Sequence, residues 1–151
     1  MRRILLVLTA FVLLGGAAQA QQWAGVRTGY PLGVTLHYGT SLDAFDLRIS
    51  GRVVARGGSV RFGVAFDALS TFVREGPLSG YFGAGPAFEV GSDDLILEVH
   101  ALLGGEFRFT EFELDPLGVF LEGSLGGQVN LSGGAADVPS VGAALGVNWH
   151  F

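Results

Sequence analysis

The sequence predicts an all-β fold: an eight-stranded antiparallel transmembrane β-barrel, an up-and-down meander over residues 21–151, preceded by a cleaved signal peptide at residues 1–20. Three observations lead there. Apolar and polar residues alternate with a period of two along eight separate segments, as in strands whose two faces meet different environments. The composition is 49% hydrophobic and only 15% charged, with 25 glycines in 151 residues, against a usual glycine share of roughly 7%. After residue 20 no apolar run approaches 18 residues, so the hydrophobicity is not packaged as spanning helices.

The first segment reads as an export signal. Arg2 and Arg3 supply positive charge, Ile4 to Leu14 is an uncharged and mostly apolar run, Gly15-Gly16 breaks a helix, and Ala18-Gln19-Ala20 has the small-x-small form of a cleavage site. Eleven residues rising about 1.5 Å each fall well short of a bilayer core of about 30 Å. The paired arginines lack the rest of a twin-arginine motif, so general secretion is the expected route. The remaining 131 residues are one domain by size. They carry seven arginines against 14 acidic residues, a net charge of −7, which excludes the basic footprint of a nucleic-acid binder. With no cysteine there is no disulfide, no thiolate metal site and no lipid-modified N-terminal cysteine.

The strands follow in order. The first, about 22–30, puts Ala24, Val26, Thr28 and Tyr30 on one face. The second, about 34–40, sets Val34, Leu36 and Tyr38 against Thr35 and His37. The third shows the alternation most cleanly: Phe45, Leu47, Ile49, Gly51 and Val53 oppose Asp46, Arg48, Ser50 and Arg52, charges a helix would scatter around its circumference. In the fourth, about 59–69, Val60, Phe62, Val64 and Phe66 oppose Arg61, Gly63, Ala65 and Asp67. In the fifth, about 79–90, Phe82, Ala84, Pro86 and Phe88 oppose Tyr81, Gly83, Gly85 and Glu89. The sixth, about 94–109, sets Leu95, Leu97, Val99, Leu103 and Phe107 against Ile96, Glu98, His100, Leu102, Glu106 and Arg108. The seventh, about 117–131, sets Val119, Leu121, Leu125 and Val129 against Phe120, Glu122, Ser124 and Gln128. The eighth, about 140–151, sets Val141, Leu145, Val147, Trp149 and Phe151 against Gly142, Gly146, Asn148 and His150. Turn chemistry marks the breaks at 31–33, 41–43, 57–58, 75–77, 91–93, 115–116 and 132–139. Pro86 alone among the prolines lies mid-strand, where its missing N–H predicts a bulge or a gap in the ladder.

The same alternation serves two barrels. A soluble one turns its apolar face inward; a membrane one turns it outward to lipid. Three features favour the second. The polar face is rich in small residues, among them Gly63, Ala65, Gly83, Gly85, Gly104, Gly126, Gly142, Ala144 and Gly146, which suits a narrow lumen, and lysine is absent from the sequence. Its charges are of both signs: Asp46, Asp67, Glu89, Glu98, Glu106 and Glu122 can pair with Arg48, Arg52, Arg61 and Arg108. The apolar face of the strands carries no charge, and one arginine at the midplane of a lipid face costs about 2–4 kcal/mol.

The chain resembles the small eight-stranded outer-membrane barrels of the OmpA/OmpX type and, more loosely, the opacity-protein-like families. The resemblance rests on the signal segment, the eight alternating segments, Tyr81-Phe82-Gly83-Ala84-Gly85, and the terminal Leu145-Gly146-Val147-Asn148-Trp149-His150-Phe151. It implies residence in a bacterial outer membrane, contact with outer-membrane lipid, and recognition of the last strand, ending at Phe151, by the barrel-assembly machinery. It also implies both termini in the periplasm, with 31–33, 57–58, 91–93 and 131–139 as external loops. These are short, whereas the turns near 70–78 and 110–116 read as comparatively long, which argues against adhesion or receptor roles. Trp23, Tyr38, Trp149 and Phe151 are candidates for interfacial aromatic girdles.

Chemistry has few residues to work with. His37, His100 and His150 all fall on the polar face; Ser124 lies near Glu122, but no His-x-Ser motif occurs. Glu98, His100 and Glu122 share a face without the spacing of a metal set. No catalytic, cofactor-binding or metal-ligating role is assigned to any residue. The expected function is a non-catalytic, monomeric barrel with a structural or envelope-maintenance role and a lumen filled by a salt-bridge network. Two other classes remain open: a barrel enzyme acting on outer-membrane lipid, and a soluble periplasmic barrel that carries an apolar ligand.

Overall fold

The computed structural model describes residues 21–151 apart from 57–58, 93, 111–113, 115 and 135. The expected signal segment, the Gly57-Gly58 turn, and Asp93 and Asp115 in their breaks lie outside the described residues. Eight strands follow one another: β1 (Gln22–Tyr30), β2 (Gly33–Ser41), β3 (Asp46–Arg56), β4 (Ser59–Glu75), β5 (Leu78–Val90), β6 (Leu95–Arg108), β7 (Leu117–Asn130) and β8 (Ala136–His150). Each pairs antiparallel with the next, and β8 closes on β1, from Trp23 opposite His150 to Tyr30 opposite Ala143, so the sheet is a closed meander barrel.

Closure divides the residues by strand parity. The outer surface is apolar: Leu36, Phe62, Leu121 and Leu145 are each at least 60% exposed. The buried set is largely polar, with His37, Arg48, Ser50, Asp67, Glu89, His100, Glu106, Glu122, Gln128 and Asn148 all turned inward. This inversion of a soluble protein selects the membrane solution, since an unbroken apolar belt is stable only in an apolar medium. No helix among the described residues is long and apolar enough to cross a membrane; the crossing is made by strands.

The lumen is narrow enough that large inward side chains need a glycine opposite them. Trp23 faces Gly39, Tyr81 faces Gly104 and Phe120 faces Gly146 across neighbouring strands. A Cβ at any of these glycines would sit 2.1–2.6 Å from the facing ring. The glycine excess on the polar face is therefore a packing requirement.

Three expectations are corrected, and the alternative left open at Pro86 is resolved. The turn foreseen near 70–78 is only Gly76-Pro77, because β4 runs to Glu75 and β5 starts at Leu78. Phe72 has no residue opposite it, since Thr71 faces Tyr81 and Val73 faces Gly80. This bulge broke the period-two pattern and hid the end of the strand. Arg74 accordingly lies in β4 and not in a turn. The loop foreseen at 131–139 is shorter than that, since β8 begins at Ala136. Pro139 lies where the β7–β8 register slips between Gly126 and Gln128, a bulge that needs no ladder N–H from it. Pro86 leaves a gap and not a bulge: Ala65–Ala87 and Ala68–Ala84 keep one register on either side of it. Trp23 is not a girdle residue. It is 7% exposed and packs inside the lumen with Leu69, Tyr81 and Leu102.

Candidate functional site in the barrel lumen

The charged interior is the main concentration of chemistry, and register brings it together. Arg27 (β1), Arg48 (β3), Asp67 (β4), Tyr81 (β5), His100 (β6) and Glu122 (β7) project inward from six strands. Glu122 is the hub. Its Oε1 accepts from the Arg48 guanidinium and from the Tyr81 hydroxyl (2.8 Å), and its Oε2 accepts from Arg27. Arg48 also donates through Nε to Asp67 Oδ2 (3.0 Å), and Asp67 Oδ1 lies 3.0 Å from His100 Nε2. The side chains of Arg48, Asp67 and Glu122 are 3%, 0% and 4% exposed, so the network is desolvated and depends on its own pairing.

Two further groups flank it. Toward the end away from the termini, Arg52 Nη2 bridges Glu89 Oε1 (2.8 Å) and Glu98 Oε2 (2.7 Å), and Arg61 pairs with Asp94 nearer the mouth. Toward the terminal end, Glu106 Oε1 accepts from Asn148 Nδ2 (3.1 Å) and lies 2.7 Å from His150 Nε2, while His37 Nε2 meets Asn148 Oδ1 at 2.7 Å. Two small cavities flank this network among the described residues. One of about 100 Å³ opens away from the termini and is lined by Arg27, Arg52, Glu98, His100 and Glu122. The other, about 120 Å³, opens at the terminal end and is lined by Trp23, Arg48, Tyr81, Glu106 and His150. Glu122 borders the first while Arg48 and Tyr81 border the second, so their contact lies between the two.

The expected pairing of Arg48, Arg52 and Arg61 with lumenal carboxylates is present, though the partner of Arg61 is Asp94. Arg27 and Tyr81 carry bonds to the hub that sequence reasoning did not assign. The parity of Arg27, opposite to Val26 and Thr28, was the available signal. The would-be metal set is split, with Glu98 held by Arg52 and Glu122 by Arg27, Arg48 and Tyr81. Among the described residues no group of three His, Asp or Glu is placed to hold a metal ion. The two ring nitrogens of His100 face Asp67 and Glu98, so the ring is oriented by carboxylates; Ser124 borders the same cavity from β7. Trp149 and Phe151 are exposed on the outer face at the terminal end, and Tyr38 packs beside Phe151 with ring centroids 6.4 Å apart. Phe72 with Phe82, and Phe107 with Phe109, continue these aromatics around the same end.

An apolar exterior, a salt-bridged interior and an eight-strand meander define the small outer-membrane barrel type of fold. Solved structures agree. The N-terminal barrel domain of Pseudomonas aeruginosa OprF superposes with a TM-score of 0.61 at 22% identity, covering 87% of this chain and 96% of that one. Neisserial surface protein A gives 0.60 at 11% identity over 87% and 94%. A de novo designed transmembrane β-barrel gives 0.50 at 14% over 89% and 98%. At these identities the likeness is one of fold. No family model matches the sequence, and no curated protein matches it.

Proposed function

We propose that the chain is exported by general secretion, loses residues 1–20, and resides as a monomer in a bacterial outer membrane with both termini in the periplasm. There it serves as a non-catalytic, envelope-maintaining barrel. Recognition of the closing strand and Phe151 by the barrel-assembly machinery is part of this reading, as is direct contact of the apolar belt with outer-membrane lipid. The observation that carries it is the filled lumen: the contact of Glu122 with Arg48 and Tyr81 lies between two small cavities, and the acid–base groups around it are bound to one another. Such an interior stiffens a barrel, and an eight-strand lumen is just wide enough for side chains to fill.

Membrane fractionation combined with heat-modifiable gel mobility tests the location. The expected result is an outer-membrane band that migrates faster unheated; soluble periplasmic protein without a shift overturns it. A deletion strain tests the role. Greater sensitivity to detergents and bile salts with an unchanged profile of outer-membrane lipid acylation is expected, and an altered acylation profile would instead establish lipid chemistry.

A further inference from the structure

The barrel has one seam where pairing stops early. β3 begins at Asp46, opposite Leu69, whereas β4 continues for six more residues, Ser70 to Glu75. All but the bulged Phe72 pair on one side with β5, through Ser70–Phe82, Thr71–Tyr81 and Val73–Gly80 to Glu75–Leu78. On the other side they have no ladder partner among the described residues. The tilt of strands in a closed barrel staggers their ends, and here the stagger leaves an open edge about 20 Å long at about 3.3 Å per residue. Beside it the β2–β3 turn folds back on itself, with Leu42 N donating to Phe45 O (2.9 Å), and does not cover the edge. Between turn and edge lies an open notch of about 1020 Å³.

An unpaired strand edge offers N–H and C=O groups that an extended backbone can satisfy, here on either side of the bulge at Phe72. The side chains around this edge specify more. Phe45, Phe72 and Val73 are exposed on the outer side of the notch. Asp43 and Asp46 border it from the β2–β3 side, across the notch from Arg74 on β4, so carboxylates stand on the side that an added strand would face. A strand laid along β4 would alternate between an apolar outer side and a side facing these carboxylates.

We propose that the β4 edge from Ser70 to Glu75 is a docking site for an extended peptide segment of another protein, in which apolar residues alternate with basic ones. The segment adds as a further strand, its apolar side chains beside Phe72 and Val73 and its basic ones toward Asp43 and Asp46.

The test uses the barrel purified from membranes in a neutral maltoside detergent. The probe is a fluorescein-labelled hexapeptide of alternating valine and lysine. Two controls accompany it: the same peptide N-methylated along one backbone edge, and a valine–glutamate version. The expected result is saturable anisotropy with the valine–lysine peptide, together with hydrogen-exchange protection confined to Ser70–Glu75. Binding is lost on N-methylation and weakens about tenfold for Asp43→Asn/Asp46→Asn, as for the loss of a charge pair at an interface. Equal binding of the N-methylated peptide, or protection elsewhere on the barrel, overturns the proposal. So does a barrel that sediments as a dimer with Ser70–Glu75 already protected, which would make a second copy the occupant. Protection by detergent alone with no peptide binding would assign the notch to lipid and overturn it as well. The backbone-methylation comparison needs no protein variant, so it stands even if the double substitution fails to fold.

Discussion

Replacing Glu122 by glutamine removes one charge and almost no volume, and so isolates what the hub contributes. In the native barrel the carboxylate accepts from Arg27, Arg48 and Tyr81, with the glutamate and Arg48 side chains 4% and 3% exposed. A glutamine retains one acceptor oxygen, enough for Tyr81 and one arginine, but it meets the other guanidinium with an N–H. Hydrogen bonds to charged groups contribute about 1.5–3 kcal/mol and neutral ones about 0.5–1.5 kcal/mol. Weakening one arginine contact and losing the other therefore costs about 3 kcal/mol, and breaking a buried pair outright costs about 3–5 kcal/mol. Arg48 keeps Asp67, which holds Glu122→Gln to the lower end of that range. The matched control is Asp94→Asn, because Arg61 and Asp94 are 14% and 26% exposed near the mouth, where such pairs contribute about 0–1 kcal/mol. The assay is urea unfolding of each barrel refolded into phosphatidylcholine vesicles, followed by tryptophan emission and by unheated gel mobility. The expected outcome is a loss of about 3 kcal/mol for Glu122→Gln and under 1 kcal/mol for Asp94→Asn. Equal losses, or a Glu122→Gln barrel as stable as the parent, would refute the claim that the lumenal hub holds the barrel together.

Arg52→Ala should lower the thermal midpoint in detergent far more than Arg74→Ala, because Arg52 bridges Glu89 and Glu98 inside the lumen whereas Arg74 is exposed near the end of β4; calorimetry showing equal shifts would count against this reading. Leu121→Arg, on an outer face where Leu121 is 63% exposed, should destabilise the vesicle-inserted barrel by about 2–4 kcal/mol if it lies near the bilayer midplane. The same urea assay reads it, and a neutral or stabilising result would mean that this face meets water.

Much of the fold was legible because a strand writes its two environments into alternate residues. In β3, Leu47, Ile49 and Val53 against Arg48, Ser50 and Arg52 specify strand, face and partner type at once. The pattern failed where the period failed. The bulge at Phe72 displaced the apparent end of β4, and the bulge beside Pro139 displaced the apparent start of β8. Trp23 misled for another reason: composition marks an aromatic near a strand end as interfacial, but its parity with Arg27 places it in the lumen, and Gly39 across the ladder supplies the room.

The sequence by itself determined that this chain makes eight strands, that one face of each is free of charge, and that the other carries arginines and carboxylates in numbers that can pair. Those are local properties, set by each residue and its neighbours two positions away. Which carboxylate meets which guanidinium was decided only by tertiary structure. Arg27 and Glu122 are 95 residues apart in the chain and meet because the sheet closes and its stagger lifts one strand against another. The same stagger left Ser70–Glu75 without a strand partner on one side among the described residues. Register around a closed ring is a global quantity, and no single strand contains it.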